Sequence, residues 1–277
     1  MVKYKNVKNS RNARSILTNI HHRIRSCWRD LFIIKELAVT DFRLRYKNAF
    51  FGYLWSVATP LIMLVTLYLV FSKAINLTVP HYQLFLLLGI ILWNFFAEAT
   101  TTSMNCFIIK KGIINTMKFP KHFIVIASCL TSIFSFLINL LIFFLFEILS
   151  GIKLSPINFL LIINLINLFL VVLGTSFFLS VLYPRFRDVS HLWNILILIG
   201  FWITPIIYKE TQIPQKYLRY YMLNPMARLI NEARDILIYH YCPEPKQLII
   251  TATICIAIFL AGILYFKRKV DYVAEEI

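Results

Sequence analysis

"FIVIASCLTSIFSFLINLLIFFLFEIL", residues Phe123–Leu149, is an apolar run whose only charged side chain is Glu147. A helix needs about 20 apolar residues to cross roughly 30 Å of hydrocarbon, so this run predicts a membrane-spanning helix. The rest of the chain has the same character, because 59% of its 277 residues are hydrophobic and 15% are charged. A soluble domain is nearer a quarter charged. We therefore expect an all-α, polytopic membrane protein.

Six stretches are long and apolar enough to span a bilayer, and together they predict a six-helix transmembrane domain over residues 52–266. Their predicted bounds are about 52–71, 84–109, 123–149, 157–182, 189–207 and 248–266. The fifth is the weakest, because it is short and carries Pro205 near its end. Residues 1–28 form a basic tail, and residues 267–277 follow the last span.

The distribution of cations predicts which side each connection faces. Segments 1–51, 110–122, 183–188 and 267–277 hold most of the 29 Lys and Arg residues. Because such residues are retained on the cytoplasmic side, both termini are expected in the cytoplasm. The net charge of +16 then reflects membrane topology and predicts no nucleic-acid partner. The polar, basic start of the chain lacks the apolar region of a cleaved signal peptide.

An amphipathic helix is predicted over residues 29–51, directly before the first span. At 100° per residue one stripe is polar and the opposite side is apolar, which is typical of a helix in the membrane interface. The polar stripe comprises Arg29, Glu36, Thr40, Arg43 and Lys47, and the apolar side Leu31, Ile34, Ala38, Phe42 and Tyr46. The pattern fits a membrane anchor and a docking surface for a partner equally well.

Two short helices are predicted in the long connection between the fifth and sixth spans, within residues 213–240. Asn224 followed by Pro225 is a favourable helix start, because Asn caps free N–H groups and Pro suits the first helical position. Arg228 and Glu232 stand four residues apart and can pair on one helix face.

Catalytic and metal-binding motifs are not found in the sequence. It has no G-x-x-x-x-G-K-[ST] loop to hold nucleotide phosphates, no H-E-x-x-H and no G-x-S-x-G. Its five cysteines are odd in number and form no C-x-x-C pair, so they predict neither a disulfide framework nor a metal cluster. We expect no catalytic residue, no bound metal and no cofactor of its own.

Two features of the spans have alternative explanations. Glu98 lies mid-span, where a charge is costly, so it either lines a hydrated path or pairs within the bundle. Aromatic residues make up 16% of the chain, and they form either an interfacial belt or a path whose rings stack on sugars. The candidates for such a path are Tyr53, Trp55, Trp93, Phe96, Phe201 and Trp202.

Several stretches together resemble the membrane-spanning permeases of bacterial ABC transporters that export cell-surface polysaccharides, the Wzm-like O-antigen exporters and their teichoic-acid relatives. The resemblance covers about residues 29 to 266. It is carried by "RLRYKNAFFGYLWSVATPLIMLVTLYLVFS", "LLLGIILWNFFAEATTTS", "IIKKGIINTMKFPKHF", "YPRFRDVSHLW", "FWITPIIY" and "LNPMARLINEARDIL". No single stretch is specific, but their order and spacing are.

The resemblance implies a homodimeric permease in the bacterial inner membrane, paired with two copies of a separate ATPase that binds ATP and Mg²⁺. It assigns contact with the ATPase to the amphipathic helix and to a coupling segment at 110–121. The coupling candidates are Lys110, Lys111, Lys118, Phe119, Pro120 and Lys121.

The resemblance also implies a substrate, a polysaccharide linked to undecaprenyl diphosphate. Arg43, Arg45 and Lys47, at the cytoplasmic entrance, are candidates to meet the diphosphate. The helices at 213–240 correspond to an external gate. Its candidate residues are Asn224, Pro225, Arg228, Glu232, Arg234 and Asp235.

Other functions remain as alternatives. Within the same class, the exported polymer is teichoic acid or capsule. An integral-membrane glycosyltransferase or polymerase is a different class, but the external acidic residues are few and form no paired-carboxylate motif. A proton-coupled carrier that uses Glu98 is a third possibility.

Overall fold

A computed structural model of the chain describes residues 28–45, 52, 54–74, 80–116, 120–153 and 155–276. Over these residues the protein is all-helical and contains no β-strand, so the predicted fold class is confirmed. The predicted basic tail lies almost entirely outside the described residues.

The described helices follow one another with short connections. They are α1 (helical over 28–45), α2 (Leu54–Ala74), α3 (Tyr82–Met104), α4 (Cys106–Ile109), α5 (Lys111–Thr116), α6 (His122–Leu149), α7 (Leu161–Arg185), α8 (Val189–Ile203), α9 (Gln215–Tyr221), α10 (Pro225–Leu237) and α11 (Pro245–Glu276). Two 3₁₀ turns, Pro156–Leu160 and Glu210–Gln212, precede α7 and α9.

Five of the described helices are long and apolar enough to cross a membrane, namely α2, α3, α6, α7 and α11. The fifth predicted span is different, because α8 has 15 residues and rises only about 22 Å. It ends at Ile203, whereas the sequence predicted a span to residue 207. The cause is Pro205, which forces the preceding Thr204 into an extended conformation with φ −71° and ψ 139°.

The core is built around α3, whose apolar stretch is mostly buried, whereas only a small share of the residues of α2 and α11 is buried. Helix α3 packs on α2, α6 and α7, and α11 packs along α7. Gly174 and Gly262 let α7 and α11 touch, since a Cβ atom on Gly262 would lie 2.0 Å from the Gly174 carbonyl oxygen. Such close backbone contact between small residues is a common basis of helix packing in membranes.

Helix α1 packs lengthwise against the first part of α6. Its buried residues Ile34 and Ala38 form a small apolar cluster with Phe123 and Ala127 of α6. One turn further on, the rings of Phe42 and Phe134 lie 4.9 Å apart. The two helices therefore run side by side in the same direction for about two to three turns. Of the apolar side predicted for α1, Ile34, Ala38 and Phe42 thus contact α6, whereas Leu31 is exposed and Tyr46 lies outside the described residues.

Candidate functional site

A cavity of about 420 Å³ opens between α2, α3 and α6 and contains two of the residues singled out in the sequence, Trp55 and Glu98. Its wall combines an aromatic ring, amides, hydroxyls and a carboxylate. The main lining residues are Trp55, Thr59, Asn94, Glu98, Phe136 and Asn139. This mixture of apolar surface and a few polar groups is typical of a small-ligand site.

Glu98 is paired with a cation from α1. One guanidinium nitrogen of Arg45 donates to Glu98 Oε1, and the other donates to Thr102 Oγ1 at 2.9 Å. Both side chains of the ion pair keep part of their surface exposed. Glu98 is therefore paired within the protein and also lines a cavity, and its role in a hydrated path stays a prediction.

The other two cations proposed for the entrance have different positions. Arg43 is exposed on α1, whereas Lys47 lies outside the described residues. Among the described residues, Arg45 is thus the proposed cation that contacts a residue lining the cavity, Glu98.

The aromatic candidates fall into two groups. Trp93, Phe96 and Phe201 are buried between α3 and α8, with ring centroids 5.7 Å apart for Trp93–Phe96 and 6.4 Å apart for Trp93–Phe201. By contrast, Trp55 and Trp202 are each 52% exposed. Tyr53 lies outside the described residues. Of the described aromatic candidates, Trp55 and Trp202 are therefore the two with a large exposed fraction.

The coupling candidate Lys110 is buried and connects neighbouring helices. It is only 6% exposed, and its Nζ donates to Asp41 Oδ2 of α1 at 2.5 Å and to Ser128 Oγ of α6 at 3.4 Å. Helices α1, α4 and α6 are therefore joined at one point.

The remaining coupling candidates lie at the surface or outside the described residues. Lys121 donates to the Val270 carbonyl at 3.1 Å and pairs with Asp271, which ties the start of α6 to the end of α11.

Lys111 and Pro120 are exposed, whereas Lys118 and Phe119 are not among the described residues. A groove of about 760 Å³ lies between α1 and α5, close to Pro120.

At the opposite end of α3, the start of α10 is capped as the sequence predicted. The Asn224 side chain accepts from Met226 N at 3.0 Å, and Pro225 occupies the first turn. The Asn224 amide also donates to Thr204 Oγ1, next to the point where α8 ends. The cap thus fixes α10 to the break after α8.

Arg234 of α10 is only 1% exposed and joins three segments. Its guanidinium donates to the carbonyl oxygens of Phe85, Pro205 and Ile206 at 2.6–3.2 Å, and it stacks 3.4 Å from the Phe85 ring centroid. Gly89 leaves room for it, since a Cβ atom there would lie 2.7 Å from Arg234 Nη2. Burial lowers the pKa of Arg234 to about 9. The residue supplies donors to carbonyls that the break after α8 leaves without helical partners.

The predicted pair between Arg228 and Glu232 is absent from the ion pairs of the described residues. Arg228 instead donates to the Met222 carbonyl. Glu232 points inward and accepts from Thr251 Oγ1 of α11 at 2.5 Å and from Asn164 Nδ2 of α7 at 3.3 Å. Burial raises its pKa. Helix α10 is therefore held on α7 and α11 by a buried carboxyl.

Asp235, the last of the proposed gate residues, borders a polar cavity of about 420 Å³ between α9, α10 and α11. Its pKa is raised from 3.8 to about 6, chiefly by burial and also by the like charge of Glu210. The adjacent Arg234 and Lys209 oppose this rise.

Sequence reasoning missed Asp41, Thr102 and Asn139. Asn139 of α6 donates to the backbone carbonyl of Ser56 at 3.0 Å and so holds the start of α2 at the cavity. Asp41 and Arg45 are opposite charges four residues apart on α1, and this spacing was a detectable signal that they share one side of the helix. Their partners came from distant parts of the chain and left no such signal.

Comparison with known proteins gives consistent matches over most of the chain. It is 31% identical over 209 residues to an O-antigen export system permease protein RfbA of Klebsiella pneumoniae, which covers 75% of this chain and 80% of the relative. A protein of the same name from Myxococcus xanthus is 22% identical over 253 residues, covering 88% and 95%. The polysialic acid transport protein KpsM of Escherichia coli is 21% identical over 239 residues, covering 85% and 93%.

A family model described as ABC-2 type transporter matches residues 34–238. This range begins in α1, includes the cavity and the paired Arg45 and Glu98, and ends just after α10. It covers well over half of the chain, and the family's name agrees with the apolar helices described above. The chain therefore belongs to the ABC-2 type transporter family of membrane proteins.

Proposed function

We propose that this chain is the permease of an ABC transporter that exports a lipid-linked cell-surface polysaccharide across the bacterial inner membrane. The observation that carries the proposal is the 31% identity to an O-antigen export permease over 80% of that relative's length. A weaker likeness to a polysialic acid transport protein supports capsule export as the second candidate. The first name gives O-antigen as the cargo and the second gives polysialic acid.

In this proposal a separate ATPase binds ATP and Mg²⁺ and docks where α1 meets α5. The groove there combines exposed apolar side chains with charged ones, including Phe32, Leu44 and Glu36. The ion pair between Lys110 and Asp41 supports this role, because it transmits a displacement of α1 to α4 and α6. Both chain termini then lie on the ATPase side of the membrane.

The permease works as a homodimer in the proposal. Helices α2, α8 and α11 support this, since each leaves a long apolar side uncovered in the single chain, while α3 has almost none. Lipid covers part of this area, and the second copy covers the rest. The exposed rings Trp55 and Trp202 are the candidates to contact the glycan, and Arg43 and Arg45 to contact its diphosphate.

Reconstitution tests this function directly. The permease is co-expressed with the ATPase encoded nearest to it, and both are placed in proteoliposomes with a fluorescent oligosaccharide linked to a prenyl diphosphate. We expect the two proteins to co-purify and to move the labelled lipid between leaflets when ATP is added. Movement at the same rate without ATP, or sugar transfer by the permease alone, would exclude the proposal.

A further inference from the structure

Helix α11 carries a row of exposed apolar side chains that ends in two cations. Ile256, Leu260 and Leu264 follow one another at four-residue spacing and are 45–52% exposed. Residues at this spacing are neighbours on one side of a helix. Lys267 and Arg268 come three and four residues after Leu264, so they flank the end of the row, and both are exposed. The row rises about 12 Å, which approaches the roughly 15 Å of hydrocarbon in one leaflet.

The two cations at the end of this row have no ion-pair partner among the described residues. The acid closest to them in the sequence, Asp271, pairs with Lys121 of α6 instead. Beside the cations, the ring of Tyr265 lies 4.8 Å from the ring of Phe178 of α7. Such aromatic residues are enriched where hydrocarbon meets the headgroups. This end of α11 therefore presents unpaired positive charge at the depth of lipid headgroups.

A second copy of the chain fits this row less well than a lipid does. Both copies of a membrane dimer keep the same orientation, so two α11 helices packed through the row would bring four like charges together. An anionic phospholipid complements both halves of the surface, because its chains are apolar and its phosphate is negative. Each basic residue at a membrane surface strengthens the attraction of anionic lipid about fivefold.

We infer that α11 binds an anionic phospholipid of the membrane at this row. The acyl chains lie along Ile256, Leu260 and Leu264, and Lys267 and Arg268 hold the phosphate. Because α11 is attached to α6 and α7 at this end, the bound lipid also stabilises the junction of the three helices. This inference goes beyond the proposed function, since the ligand is a lipid of the surrounding membrane and not the exported cargo.

Native mass spectrometry of the full-length permease, titrated with phosphatidylglycerol in detergent, measures this binding. We expect the wild type to bind phosphatidylglycerol about tenfold more tightly than phosphatidylcholine with the same chains. Lys267→Gln and Arg268→Gln should each weaken the binding of phosphatidylglycerol about three- to fivefold. The matched control is Lys269→Gln, which removes the same charge from another side of α11, where Lys269 Nζ lies 5.3 Å from the Tyr272 ring centroid. It should change the affinity by less than about twofold.

The melting temperature gives a second readout. Phosphatidylglycerol should raise it in the wild type and in Lys269→Gln, and should not raise it when Lys267 and Arg268 are both replaced by Gln. Equal affinity for the two lipids, or an equal loss in Lys267→Gln and Lys269→Gln, would overturn the inference. Binding of the chain-free head group, glycerophosphoglycerol, as tightly as the whole lipid would overturn the role of the apolar row. Loss of the dimer in the double variant at unchanged lipid affinity would assign this surface to the second copy instead.

Discussion

Lys110 donates its buried ammonium group to Asp41 across 2.5 Å, and this contact joins the connection after α3 to the amphipathic helix α1. The two residues lie 69 positions apart in the chain. Ser128 of α6 contacts the same ammonium group, so three helices share one cation. Lys110 was predicted to lie in a coupling segment that contacts the ATPase. In the structure its ammonium group is buried and contacts other helices of the same chain.

Removing Lys110 should destabilise the protein. Lys110→Ala leaves Asp41 without its partner, and we expect a loss of about 1–3 kcal/mol of unfolding free energy, measured by thermal or denaturant unfolding in detergent. The exposed neighbour change Lys111→Ala should stay within about 0.5 kcal/mol. In a double-mutant cycle with Asp41→Asn, strictly additive losses would contradict a direct coupling.

Lys111 tests the docking surface instead. It is exposed on α5, so Lys111→Glu should leave the melting temperature unchanged and reduce co-purification of the ATPase and ATP-driven export. The matched control is Lys216→Glu, at an exposed lysine on α9, outside the proposed docking groove. Wild-type export by the Lys111 variant would remove α5 from the proposed ATPase contact.

The two aromatic groups should respond differently to truncation. Trp93→Ala empties a packed position between α3 and α8 and should cost about 3–5 kcal/mol of stability. Trp202→Ala removes an exposed ring and should leave stability within about 0.5 kcal/mol. The check combines unfolding curves with the amount of surface glycan. Loss of export by the Trp93 variant at unchanged stability would instead place that ring in the glycan path.

The pH dependence of stability follows from Asp235. Its folded-state pKa of about 6 lies above the unfolded value near 3.9, so the folded protein binds the proton more tightly. The resulting stabilisation is complete below about pH 4 and is lost as the pH rises through 6. Lowering the pH from 7.5 to 5.5 should therefore raise the melting temperature by about 1–2 °C, after allowance for the partial exposure of this group.

Asp235→Asn isolates this contribution from other titrating groups. The variant should be more stable than the wild type at pH 7.5 and equally stable at low pH. Burial destabilises the charged carboxylate of Asp235 but not a neutral amide or a protonated carboxyl. A variant whose melting temperature follows pH in the same way as the wild type would show that Asp235 does not carry the effect.

The length of the apolar runs was enough to predict the helices, because each run must satisfy its own backbone hydrogen bonds in a membrane. The early end of α8 was also detectable, since Pro205 restricts Thr204. The cap of α10 followed from Asn224 and Pro225 alone. All of these features depend on residues that are close together in the sequence.

The contacts between distant residues were not predictable in this way. Arg45 and Glu98 are 53 positions apart, and the sequence says only that a mid-span acid needs a partner or water. Arg234 was predicted to be a gate residue. The residues close to it in the sequence give no sign that its guanidinium donates to three backbone carbonyls from other segments. Glu232 was expected to pair with Arg228 four residues away. It instead accepts hydrogen bonds from the Asn164 amide of α7 and the Thr251 hydroxyl of α11.

The most direct test of the central claim is the fate of the polysaccharide in cells that lack this chain. We measure lipid-linked polymer in the inner membrane and surface polymer outside, in a deletion strain and in the same strain carrying the gene on a plasmid. The permease function predicts that the deletion removes the surface polymer while full-length lipid-linked polymer accumulates inside, and that the plasmid reverses both. Loss of the polymer from both places, with no accumulation of full-length chains, would contradict export and indicate a role in synthesis.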